Sequence, residues 1–203
     1  MKPGNRSLRQ SLTTMLALAG ALMLTACASP QVRFHTLMPA PGPAQGINAD
    51  AHISVDRVTV PAQVNRSELV VRKNASELMV LASDWWSAGL PEELRSSLVA
   101  GFGPGGADTP RVGLRLQVTR FDFVPGEEAW LEARYRVAAL VGDNKRRLSC
   151  SVRLRTAVPE DAGDQLEALV LAQQENLRRL IRHITKAANG LTTEQECPLI
   201  TEA

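Results

Sequence analysis

The sequence predicts a single α/β domain. Three segments, Val112–Val118, Leu131–Ala139 and Leu148–Leu154, alternate apolar with polar residues and are joined by short turns, the pattern of an antiparallel meander. From Gln165 to Asn189 the apolar residues recur at helical spacing. Shorter β-rich runs and a second helical segment precede the meander, all within 203 residues, enough for one ordinary domain and a targeting segment.

The chain opens on a leader. Lys2, Arg6 and Arg9 form a basic start, and Met15 to Leu24 is an unbroken apolar run. That run suits a secretory signal and is short of the roughly 20 apolar residues that span a bilayer. Leu24-Thr25-Ala26-Cys27 follows. A Leu at −3, a small residue at −1 and a cysteine at +1 fit the lipobox of bacterial lipoproteins, whose cysteine thiolate accepts a diacylglycerol and whose freed amine takes a third acyl chain. The alternative is a plain secretory signal with an incidental cysteine. More than one acyl chain gives stable attachment, because each buried methylene contributes about 0.8 kcal/mol. Ala28 and Ser29 follow in place of the aspartate that favours inner-membrane retention, so the lipidated chain is expected on the inner leaflet of the outer membrane, facing the periplasm. Residues 1–26 are thus expected as signal peptide, 27–50 as a lipidated segment with a first short strand and loop, and 51–203 as the remainder of the domain.

The leader holds three of the 23 basic residues and no acidic one, leaving 20 bases against 21 acids. The mature chain is near neutral, and no electrostatic case for nucleic acid remains. Cys150 and Cys197 are the other cysteines. In an oxidising compartment such a pair favours a bridge; the alternative is two free thiols, with Cys150 packed as a small hydrophobe.

Val32 to Leu37 reads as the first strand and Pro39 to Asp50 as a loop. In His52–Val60 the apolar parity switches at Asp56-Arg57, which predicts a bulge or a strand buried on both faces. Glu68–Arg72 and Glu77–Ala82 read as a hairpin around Lys73-Asn74-Ala75-Ser76. A helix begins near Leu90, with Pro91 in its first turn and Glu92 and Glu93 complementing its dipole. Leu94, Leu98 and Phe102 give it an apolar face, and Gly103–Pro110 is a loop. Pro125-Gly126-Glu127 and Gly142-Asp143-Asn144 turn the meander. Asp164 caps the last helix, whose stripe is interrupted at Gln173, and Gly190 stops it. Cys197 would pin the aperiodic tail to the last strand.

Catalytic motifs do not survive their context. Gly101, Gly103 and Gly106 spell G-x-G-x-x-G, but a helix precedes them where dinucleotide binding needs a strand. His35, His52 and His183 lie far apart, without zinc-ligand spacing. No G-x-S-x-G is present. Glu92-Glu93 and Glu127-Glu128 read as solvated charges. Arg178, Arg179, Arg182, His183 and Lys186 read as cations on the solvent face near a helix C-terminus, or as a site for anionic headgroups. Trp85-Trp86, at the start of a helix, cannot both enter one core: either both are partly buried packing residues, or one meets a protein or lipid partner. No enzyme activity and no cofactor are expected.

As a set, four segments resemble a known family, the PqiC-like auxiliary lipoproteins of ABC-type and MCE-type transport systems. They are Cys27 with Val32–Leu37; Ile53–Pro61 running on to Arg66–Arg72; Trp85–Ala88 with the helix to Phe102; and Leu116–Phe121 with Ala129–Ala139 and the closing helix. The resemblance implies an α/β sandwich with a mixed sheet and packed helices. It implies a non-enzymatic accessory lipoprotein that works with an MCE-type periplasm-spanning protein and inner-membrane components in lipid transport or envelope integrity. A homo-oligomeric ring around the end of a tube is one arrangement for such docking. Trp85, Trp86 and Arg72 are the candidate partner contacts, and Cys27 the anchor.

Overall fold

A computed structural model describes residues 31–39, 51–104, 109–192 and 196–199, with the compact unit beginning at Val32. The leader, Cys27, residues 40–50 of the predicted loop and Gly106 lie outside the described residues. Seven strands and two helices follow in the order β1 (Arg33–His35), β2 (His52–Thr59), β3 (Glu68–Arg72), β4 (Leu78–Trp86), α1 (Leu90–Phe102), β5 (Arg111–Val124), β6 (Glu128–Val141), β7 (Asn144–Ala157) and α2 (Gln165–Asn189).

The strands form two mixed sheets. In one, β4 lies between β1, parallel to it, and β3, antiparallel. In the other the order is β2-β5-β6-β7, with β2 parallel to β5 and the rest an antiparallel meander. The expected mixed sheet with packed helices is therefore present, divided in two. The predicted irregularity in β2 falls between Val55 and Arg57. Gly126 and Gly142, at φ 75° and 59°, make the two meander turns in a backbone region that a Cβ disfavours.

Alternation decides the layers. Val112, Leu114, Leu116, Leu131, Ala133, Val137, Val152 and Leu154 are buried on one face of the four-stranded sheet, beneath α1 over β2 and α2 over β6 and β7. The helices meet where a Cβ on Gly101 would collide with Ile181 Cδ1. One glycine of the apparent G-x-G-x-x-G is thus a helix-packing residue, and Gly103, at φ 68°, ends α1. The sheets join through Trp86, Phe121 and Phe123, whose ring centroids lie 5.6–6.1 Å apart.

Three expectations are corrected. β4 runs on to Trp86, so the tryptophans end a strand and do not begin a helix; Ala82-Ser83-Asp84 is weak strand sequence, and the extension depends on pairing with distant β1. Glu93 is buried, accepting hydrogen bonds from Thr36 Oγ1, Leu37 N and Ala88 N at 2.7–3.0 Å, and so ties the segment after β1 to the start of α1. His183 is buried and bonded, whereas Arg178 and Arg182 face solvent and pair with Glu175.

Candidate functional site

The first candidate lies at the start of the folded unit. Pleating turns Arg33 and His35 to one side of β1 and Phe34 to the other. Arg33 Nε and His35 Nε2 meet Asp84 Oδ1 at 2.7 and 3.0 Å, and Arg33 also reaches Asp164 at the cap of α2, 2.7 Å away. Burial disfavours the charged form of Asp84, but hydrogen bonds from His35 and Arg33 outweigh it and hold the carboxyl below its usual range. This cluster fixes β1 against β4 and α2. On the opposite side Phe34 is 65% exposed and Val32 44% exposed. Phe34 is in register with Trp85 on β4. Trp85 is partly exposed, and its indole N–H donates to its own strand at Ala82 O, 3.0 Å away. Its neighbour Trp86 is 4% exposed, within the core.

Arg72, the third candidate contact, forks onto Asp122, with Nε–Oδ2 at 3.0 Å and Nη2–Oδ1 at 3.1 Å. Arg120 adds a third bond at 2.7 Å and stacks 4.1 Å over Trp130. Burial again works against ionisation of Asp122, and the two arginines prevail, so its carboxyl stays below the ordinary range. The Arg72 guanidinium is thereby engaged within the domain, bridging the two sheets.

The second candidate is the outer face of the four-stranded sheet, opposite the helices. Near Trp130 its cations have carboxylate partners: Arg120 and Arg153 share Glu132, and Arg155 reaches Glu128. Farther along β5 and β6 the pattern changes. Register places Arg57, Arg115 and Arg136 side by side across three strands, with Arg134, Lys145 and Arg147 on neighbouring rows. All six are exposed, and none forms an ion pair with a carboxylate among the described residues. Asp56 lies at the border, folded over Gly113, and Ser149 Oγ accepts from Arg136 Nε at 3.3 Å. A groove of about 560 Å³ follows this face. Like charges directly opposite one another on a sheet are destabilising. Arg115, Arg134, Arg136 and Arg147 stand at polar positions of a strand alternation, so their exposure is legible in the sequence. Their alignment is a property of the register.

The tail is fixed at a third place. Cys150 of β7 is joined to Cys197, with Cα atoms 5.7 Å apart, so the bridge replaces the free-thiol alternative. Beside it His183 Nε2 lies 2.8 Å from Pro198 O and Nδ1 lies 2.7 Å from Tyr135 Oη. A carbonyl can only accept, so Nε2 carries the proton, and Tyr135 donates to Nδ1. Burial raises the Tyr135 pKa and lowers that of His183. A groove of about 540 Å³ between β7, α2 and Leu199 is lined by Arg155, Arg179, Arg182 and Lys186, with Glu175 among them. Among the described residues no group of three or more His, Cys, Asp or Glu could hold a metal. No helix among them is long and apolar enough to cross a membrane.

The model of a family described as "ABC-type transport auxiliary lipoprotein component" matches residues 34–185. No curated protein matches. Solved structures that share the fold include two of low sequence identity. One, described as an uncharacterized protein, is 15% identical with a TM-score of 0.58, over 77% of this chain and 97% of that one. The other, from Xanthomonas campestris and assigned to the DUF330 family, is 17% identical with a TM-score of 0.56, over 81% of this chain and 97% of that one.

Proposed function

The chain belongs to the family of ABC-type transport auxiliary lipoprotein components, and on that premise we propose that it is the outer-membrane-anchored, periplasm-facing accessory subunit of an intermembrane lipid transport system. The observation that carries the reading is the lipobox Leu24-Thr25-Ala26-Cys27, standing seven residues before the family match begins at Phe34. Cys27 supplies the anchor. The folded domain receives an MCE-type partner that reaches across the periplasm from inner-membrane components. This role needs placement and a docking surface, and no reacting group. A carrier that encloses a lipid is less well supported. The space between the four-stranded sheet and its helices is filled by Leu114, Leu131, Leu169, Leu177, Leu180 and Ile184, while the larger grooves lie outside that core among arginines.

Two measurements test the proposal. Cys27→Ala should abolish acyl mass and release the protein from washed envelopes into the soluble fraction. Crosslinked envelopes should yield an MCE-type or ABC-transport component with the wild-type chain. An acylated protein that fractionates with the inner membrane, or crosslinks to neither class, would count against this role.

A further inference from the structure

We propose that Val32, Phe34 and Trp85 form a second membrane contact, a small apolar and aromatic corner that enters the lipid interface beside the acylated cysteine and sets the orientation of the domain. This inference rests on the anchor proposed at Cys27.

The corner is built. Phe34 has an outward position because Arg33 and His35 are held on the other side by Asp84, so β1 cannot rotate to bury it without giving up those bonds. The parallel register sets Phe34 beside Trp85, and Val32 shares the parity of Phe34. The Trp85 N–H is already satisfied by Ala82 O, so the exposed part of the ring can leave water without stranding a donor. Phe34 and Val32 are exposed although the same chain buries its other phenylalanines, Phe102, Phe121 and Phe123, to 4% or less.

Chain length selects the occupant. Val32 stands five positions after Cys27, and at about 3.3–3.6 Å per residue those five steps span no more than about 18 Å. Acyl chains on Cys27 therefore confine the corner to the neighbourhood of the bilayer surface. Such a tether makes the second contact intramolecular in effect, so a patch too small to hold a free protein on a membrane can still be occupied. Aromatic side chains favour the headgroup boundary, where an apolar ring and a satisfied polar edge are both accommodated. Two points of attachment, acyl chains and corner, would restrict the swing of the domain on its tether.

The experiment uses the full-length acylated protein in vesicles of phosphatidylethanolamine and phosphatidylglycerol carrying brominated acyl chains, which quench tryptophan at the interface. Trp86 is buried in the core and Trp130 is covered by Arg120, so Trp85 should supply the quenched emission. Quenching should be lost in Trp85→Phe, retained in Trp130→Phe, and diminished in Phe34→Ser, with every variant still vesicle-bound through Cys27. Quenching unchanged by Trp85→Phe, or absent from acylated and bound wild-type protein, would overturn the corner alone. A self-associated species lost in Phe34→Ser without Trp85 quenching would assign the patch to a second copy and also overturn it. A chain found without acyl mass would overturn the anchor and the corner together.

Discussion

His183 holds two partners, a carbonyl that accepts from Nε2–H and a phenol that donates to Nδ1 of the neutral ring. Burial lowers its pKa, with the nearby Lys186 charge acting in the same direction and the Pro198 bond opposing them. A depressed folded pKa contributes stability above the unfolded value, about 6.5, that is lost as pH falls through the folded one. The melting temperature should therefore decline between neutrality and mild acid, and His183→Gln, which cannot titrate, should flatten that decline. A variant with the wild-type pH slope would show that His183 does not link the tail to pH. Asp84 and Asp122 work in a lower window, below the ordinary carboxylate range, where protonation would release Arg33 and Arg72. The residue types in these clusters are visible in the sequence, but their partners are not. Arg33 and Asp84 are 51 positions apart, as are Gln173 and the Asp122 carbonyl that it approaches. Its basic neighbours assign His183 to the solvent stripe, although helical spacing sets it at the border of the apolar face, three residues after Leu180. The approach of Tyr135 and the tail makes this position internal.

Elements were legible where the pattern was local. The meander, its glycine turns, the Asp164 cap and the stop at Gly190 each follow from neighbours within a few residues. Asp164 Oδ1 accepts from the amides of Leu166 and Glu167 as a capping residue should. Local pattern is insufficient where an element depends on distant pairing, as at the end of β4, where β1 supplies the missing partner. The tail lacks periodicity altogether and is held by the Cys150–Cys197 bridge across 47 positions. In the chain-entropy account a loop of that length stabilises by about 4 kcal/mol. Replacing both cysteines with serine should lower the urea midpoint, and with it the unfolding free energy by an amount approaching that, and a reductant should shift the wild type but not the double variant. Equal midpoints for the two proteins would mean that the bridge closes a loop the fold already closes.

At the scale of the whole molecule, a near-neutral chain separates its charges. Carboxylates pair with the arginines around Trp130, while the row Arg57–Arg115–Arg136 forms no ion pair among the described residues, with Asp56 at its border. Repulsion across that row should cost a fraction of a kcal/mol per opposed pair. Arg115→Gln is therefore expected to raise the melting temperature at low salt, with the gain fading as salt screens the charges. A loss of stability would indicate that the row is compensated within the domain. The span of most regular elements and the solvent-facing parity of the meander's arginines were written in the sequence, because each depends on periodicity over a few residues. The family resemblance was legible in the order of four such segments. Tertiary structure alone decided that the strands split into two sheets, that Glu93 and His183 are internal, that Trp86 enters the core while Trp85 stays outside, and that separated arginines fall into one row. These depend on register and on contacts between residues far apart in the chain, where a shift of one position in a strand exchanges inside for outside.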